Sequence, residues 1–247
     1  MEDALMPLPD SAFAHHPELK PLISDPDTSF FRTIEPAEIE RQMAERGMEP
    51  GWRHPDDVRE ALRHAALEGR RDADLWIFAY GSLMWDPAIH FTELRRAHTD
   101  DYSRSFCLWD TGGRGSEDRP SLMAALDTGG GCTGLALRIE KDKIEEETEI
   151  LCRRELIAPG YVCAFIALDT AQGPVEALTF VADHSSDVIV PGIPIEEQAR
   201  MIAHAEGLLG RSFDYLDNVK RHLDEMGIAD DYIDRLHVLA TAERAAA

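Results

Sequence analysis

Apolar and polar positions change their rhythm near residue 74. Upstream, residues 1–30 are rich in Pro, Asp, Ser and His and carry no apolar period, which predicts an irregular extension. Residues 36–48 and 55–69 then keep helical spacing. Pro36 suits a first turn with Ile39, Met43 and Met48 on one stripe, and Val58, Leu62, Ala65 and Leu67 are the apolar positions of the second helix. Downstream, apolar runs of strand length follow one another: LWIFAY (75–80), SFCLWD (105–110), LMAALD (122–127), LALRIE (135–140), YVCAFIAL (161–168) and VEALTFVA (175–182). One helix, about 141–155, separates the fourth run from the fifth. The C-terminal part is helical again, through Ile195, Ala199, Ile202, Ala205 and Leu209, then Phe213, Leu216, Val219, Leu223 and Met226, with Ser212 as a cap and Gly227 as a stop. This order predicts an α+β domain over 74–240, an N-terminal extension over 1–73 and a tail over 241–247. The two N-terminal helices need a partner for their apolar positions, and the domain after residue 74 is the nearest surface. Residues 1–30 are expected to be dispensable.

Charge narrows the function. The chain has 25 Lys and Arg against 47 Asp and Glu, a formal charge of −22, which excludes a generic binder of nucleic-acid phosphates. No run approaches the ~20 apolar residues of a membrane helix, and MEDALMPLPD lacks the basic start and apolar block of a secretory signal. Cys107, Cys132, Cys152 and Cys163 form no CxxC pair and read as reduced core residues. A cytoplasmic protein with neither nucleic-acid nor membrane partners is the expectation.

Three stretches carry candidate chemistry. In KDKIEEETEILCRREL, Ile144, Thr148, Leu151 and Glu155 fall on one helical face, the one that should pack inward, while Glu145, Glu146 and Glu149 lie off it. An inward carboxylate at the negative end of a helix has its pKa pushed up toward the range of a proton-transfer group. Pairing of Glu155 with Arg153 or Arg154 at the surface is the structural alternative. The Tyr80-Gly81-Ser82-Leu83 turn after the first strand can aim successive N–H groups at an anion, or be a plain strand exit. TGGGCTG (128–134) fits G-x-G-x-x-G but precedes a strand, so a hairpin turn is favoured over a nucleotide site. No HExxH or comparable cluster is present, and Glu145–Glu147 and Asp230-Asp231 read as solvated faces.

Taken in order, WIFAYGSLMWDP (76–87), RSFCLWDTGGRG (104–115), RPSLMAAL (119–126), GGCTGLALRI (130–139), CRRE with GY (152–155, 160–161) and PIEEQARMIAHAEGLLGRSFDYL (194–216) resemble the γ-glutamylcyclotransferase superfamily, above all its ChaC-like, glutathione-specific branch. The resemblance implies a mixed β-sheet or barrel with flanking helices. It implies an enzyme in which the substrate's own α-amine attacks its γ-glutamyl carbonyl, giving 5-oxoproline and, from glutathione, Cys-Gly. It places the catalytic acid–base role on Glu155 and substrate binding on Tyr80, Gly81, Ser82, Leu83 and Tyr215. Arg114 is added as a charge that sets the field of the pocket. No metal or cofactor is required. Other γ-glutamyl compounds as substrates, or a non-catalytic binding protein on the same fold, are the alternatives. LIAPGY after Glu155 carries a Pro outside the family's usual pattern, and the N-terminal 70 residues have no counterpart in it.

Overall fold

In the computed structural model the described residues are 8–45 and 47–246. Seven strands make the centre: β1 (Leu75–Ala79), β2 (Glu93–Thr99), β3 (Tyr102–Asp110), β4 (Ser121–Thr128), β5 (Cys132–Ile139), β6 (Tyr161–Thr170) and β7 (Val175–Ala182). Their order is β1-β5-β2-β6-β7-β4-β3, and β7 also pairs parallel to β1, through Trp76↔Ala177 and Ile77↔Leu178. That last pairing closes β1, β5, β2, β6 and β7 into a ring, with the β4–β3 pair appended at β7. β1 therefore has a strand on each side, and Ile77, Phe78 and Ala79 are all fully buried, which is why it reads as an unbroken apolar run rather than an alternation.

Helices flank this barrel: α1 (Pro36–Glu45), α2 (Asp56–Ala66), α3 (Ile144–Glu155), α4 (Ile195–His204), α5 (Ser212–Glu225) and α6 (Asp231–Ala245). A two-residue ribbon, β8 (Glu206–Gly207) with β9 (Gly210–Arg211), joins α4 to α5. The main core unites one face of the strands with α3, α4, α5 and α6, and Phe78, Ala97, Ala136, Ile166 and Ala177 on the other face of the ring strands form a second cluster. Among the described residues no helix is long and apolar enough to cross a membrane.

Several expectations change. ELRRAHT forms β2, hidden in the sequence by its charged residues: Leu94 packs in the main core and Ala97, on the opposite face, in a second cluster with Phe78 and Ile166, while Arg95 lays its guanidinium over the Trp76 ring at 4.5 Å. The TGGGCTG turn is not a hairpin, because β4 pairs with β3 and β7 while β5 pairs with β1 and β2. Gly129, Gly130 and Gly131 all take positive φ to carry the chain between those positions. Ser212 does not cap α5 with its side chain; its hydroxyl bonds Ser121 instead. α6 runs through the stretch expected as a tail, to Ala245. Asp230 is not a solvated residue: it caps α6 through the Ile233 N–H and pairs with the buried Arg104.

The extension departs most. Residues 10–32 wind through four short 3₁₀ turns, and Ala12, Phe13 and Leu19 sit in the main core, the Phe13 ring edge-on to Phe91 at 5.7 Å. Residues 1–30 are thus not a dispensable tail, since losing Phe13 alone would uncover core worth about 3–5 kcal/mol; those numbered 1–7 lie outside the described residues. α2 turns an unexpected face inward: Arg59 and Arg63 are buried while Val58 and Leu62 are exposed. Arg63 donates to Glu60, Glu145 and the Thr148 hydroxyl, so the helix docks on α3 through satisfied charge rather than through its aliphatic positions. α1 packs as expected, with Ile34, Ile39 and Met43 against Met48, Trp52, Ile157 and Leu208.

Candidate active site

The end of β1, the end of α3 and the start of α5 meet. After Ala79 the chain leaves the barrel at Tyr80-Gly81 and enters a single 3₁₀ turn, Ser82–Met84, closed by Met84 N–H to Gly81 C=O at 2.9 Å. Leu83 and Met84 are buried in the core and fix the turn from below. The Tyr80 carbonyl accepts from Arg104 Nε at 2.6 Å, and the Tyr80 hydroxyl donates to the Phe180 carbonyl at 3.0 Å. The phenol of Tyr80 is therefore tied to the barrel, and its carbonyl is held by Arg104.

Opposite stands the last turn of α3. Ile144, Thr148 and Leu151 are fully buried, and Glu155 follows on the same face with its side chain only 15% exposed. Glu155 Oε1 lies 2.9 Å from Arg154 Nε. The pairing with Arg154 foreseen as the structural alternative is real, but it lies in the interior rather than at the surface. Arg154 also donates from Nη2 to Ser82 Oγ at 2.7 Å and from Nη1 to the Asp86 carbonyl at 2.6 Å, joining the α3 terminus to the Ser82 turn. Burial pushes the Glu155 carboxyl above its ordinary value, and the Arg154 charge partly offsets this.

Three tyrosines surround the carboxylate electrostatically. Tyr215 on α5 has its pKa pushed to about 12 by burial and then by Glu155, opposed by Arg114, Arg104 and Arg154. Tyr80 and Tyr161 are raised well above the usual phenol range, by burial first and with Glu155 contributing. A β-carbon built on Gly81 would stand 3.7 Å from the Tyr215 hydroxyl oxygen, so that hydroxyl overlooks the turn. The Tyr161 hydroxyl donates to the Ala124 carbonyl at 2.7 Å.

Arg114 lies in the TGGRG loop between β3 and β4. Its guanidinium carbon is 5.7 Å from the centre of the Tyr215 ring, and burial lowers its pKa. The loop's own donors are consumed: the Asp110 carboxylate accepts the N–H groups of Gly112 (3.1 Å), Gly113 (2.8 Å), Arg114 and Gly115 (3.2 Å). This leaves the Arg114 guanidinium as the loop's contribution to an anion.

A chemical unit results: a proton-avid carboxylate, a guanidinium that orients it, a phenol and a tight turn, with a second cation nearby. Residues 75–243, which hold all of these groups, match the ChaC-like protein family. The chain belongs to that family. The glutathione-specific γ-glutamylcyclotransferase of Escherichia coli K12 is 37% identical over 184 residues, 74% of this chain and 80% of its own length. The human glutathione-specific γ-glutamylcyclotransferase 1 is 32% identical over 155 residues, 60% of this chain and 70% of its own. A crystal structure of the yeast γ-glutamyl cyclotransferase specific to glutathione superposes with a TM-score of 0.64 at 18% identity, covering 71% of this chain and 99% of that one, which shows the γ-glutamylcyclotransferase fold.

Within this ChaC-like domain the structure brings Gly81, Ser82, Glu155 and Tyr215 together and sets Arg114 beside Tyr215. The side chains of Tyr80 and Leu83 are committed elsewhere, to the Phe180 carbonyl and to the core. Sequence reasoning saw Arg154 only as a competing partner of Glu155 and gave Tyr161 no role, although GY was among the matched motifs. A hollow lined by Arg119, Pro120, Glu197, Arg200, Met201 and His204 shares none of these residues. Among the described residues no cluster of His, Cys, Asp or Glu is arranged to hold a metal ion.

Proposed function

We propose that this ChaC-like chain is a γ-glutamylcyclotransferase acting on glutathione, with Glu155 as the acid–base group. The observation that carries the reading is the desolvated Glu155 carboxylate, joined through Arg154 to Ser82 of the Tyr80–Leu83 turn. The reaction needs one proton taken from the substrate's α-ammonium and one delivered to the leaving nitrogen, and a carboxyl of raised pKa can do both in turn. Attack is intramolecular, so most of the catalysis is positioning, for which well-oriented reactions gain roughly 7–11 kcal/mol.

The γ-glutamyl end of the substrate is assigned to the turn. The N–H groups of Gly81, Ser82 and Leu83 precede the carbonyls of their own 3₁₀ turn and are suited to the α-carboxylate or the developing oxyanion. The Tyr215 hydroxyl is close enough to the turn to donate to the same group. Arg114 is assigned to the carboxylate at the far end of the tripeptide, whose charge it complements despite the chain's net −22. Ser82 has its Oγ occupied by Arg154 and serves the geometry of the turn rather than acting as a nucleophile. A cytoplasmic location accords with a substrate abundant in reducing compartments and with four free cysteines.

Incubating the pure protein with glutathione, glutathione disulfide and γ-glutamylalanine tests this by release of 5-oxoproline. The expected result is turnover of glutathione well above the other two. Equal or better turnover of γ-glutamylalanine would assign the enzyme to another leaving group, and no 5-oxoproline from any of them would overturn the reading.

A further inference from the structure

The residue that completes the catalytic turn of α3 comes from the N-terminal extension. The Phe31 ring lies over the Arg154 guanidinium, 4.0 Å from its carbon to the ring centre. Arg154 has its in-plane donors engaged by Glu155 Oε1, Ser82 Oγ and the Asp86 carbonyl. Bonds at the rim set the plane of a guanidinium but leave its face open to water unless something covers it. Phe31 covers it, and the Arg154 side chain is only 6% exposed.

Phe31 is itself anchored on both sides. Its N–H donates to Ser29 Oγ at 3.2 Å, and its ring meets Phe30 edge-on at 5.5 Å. The next residue, Arg32, is fastened to α3 twice: its guanidinium bonds the buried Glu147 at 2.8 Å, and its carbonyl accepts from Arg153 Nη2 at 2.7 Å. The 3₁₀ turn Phe30–Arg32 is therefore fixed to the helix that carries Glu155.

We propose that Phe31 is a positioning residue for the reaction, holding the Arg154 guanidinium in the plane that orients Glu155 and the Ser82 turn. The N-terminal extension is thereby part of the catalytic apparatus. The proposal rests on the reading of Glu155 as the acid–base group. The ionisable groups that bear on Glu155 are Arg154 on its own helix, Tyr80 from the turn after β1, Tyr161 from β6 and Tyr215 from α5. The tyrosines stay neutral through the working range, so Arg154 is the charge whose placement sets the proton affinity of the carboxylate. A loosened Arg154 lowers that affinity less, and the acid limb of the pH–rate profile moves upward.

Three variants test this: Phe31→Leu, which keeps an apolar side chain but removes the π face, Phe31→Trp, which keeps the face, and Glu155→Gln. A cation–π contact of this kind is worth about 1–2 kcal/mol, so F31L should lose about five- to thirtyfold in kcat. Its acid limb should move up by several tenths of a pH unit, and F31W should recover rate and limb together. A loss from misfolding alone would lower the melting temperature and active fraction without moving the acid limb, and would overturn the proposal, as would F31L with the wild-type rate and limb. If Glu155→Gln is inactive while F31L behaves as wild type, Phe31 alone fails. If Glu155→Gln is active, the reading of Glu155 fails and this proposal falls with it.

Discussion

The two ends of α3 treat their carboxylates in opposite ways. At the N-terminal end, Glu145, Glu146 and Glu147 sit where the helix dipole favours negative charge, and arginines from the extension and from α2 reach them. Glu145 takes Arg63 and Arg71, which hold it below the usual carboxylate range, and Lys143 and Arg32 do the same for Glu146. Glu147, fully buried, accepts from Arg32 at 2.8 and 3.1 Å and from the His90 N–H at 2.9 Å. At the C-terminal end, Glu155 meets the negative pole of the helix, loses most of its water and keeps a single cationic neighbour. Satisfying a buried acid on every side makes a structural joint. Leaving it short of partners raises its proton affinity, which suits the proton-transfer role proposed for Glu155.

The contrast breaks most sharply on activity. Glu155→Gln keeps the size of the side chain but cannot accept a proton at neutral pH, so kcat should fall by about 10²–10⁴-fold. The same variant should not lower the melting temperature at neutral pH. A carboxyl whose folded pKa is raised takes up protons on folding, so its contribution favours the folded state at low pH and is lost as pH rises through the folded value. Removing the charge therefore removes a cost.

Glu147→Ala should do the reverse, since breaking a buried pair strands Arg32 and typically costs about 3–5 kcal/mol. Denaturant melts of the two variants side by side check the opposite signs. The half-exposed Glu145 should matter least, with Glu145→Ala costing under about 1 kcal/mol, an effect that fades with salt. Its depressed pKa gives a stability contribution present above the unfolded value and lost as pH falls.

Much of this was legible in the pattern of residues. The spacing of Ile144, Thr148, Leu151 and Glu155 turned one carboxylate inward, and the apolar runs located β1 and β3 to β7. The ordered motifs pointed to the ChaC-like family and to the turn at Tyr80–Leu83. Three of the misses share one physical cause: burial achieved by pairing charge rather than by excluding it. Glu147 looked solvated among its neighbours because its partner Arg32 lies 115 positions away in sequence. Arg59 and Arg63 gave α2 the wrong inner face, and ELRRAHT concealed β2 for the same reason. Phe31 gave no sign of its contact with Arg154 because only the folded chain shows what its ring covers. No local pattern encodes a partner that distant.

The proton affinity of Glu155 is the quantity on which the account turns. A carbon-13 NMR titration of the glutamate side-chain carboxyls, with Glu155 assigned by its absence in Glu155→Gln, reads it directly. Glu155 should titrate above the ordinary glutamate value of about 4.3, while Glu145 and Glu146 titrate below it. A Glu155 midpoint at or below the ordinary value would make it another structural carboxylate and contradict its role as the group that carries the proton.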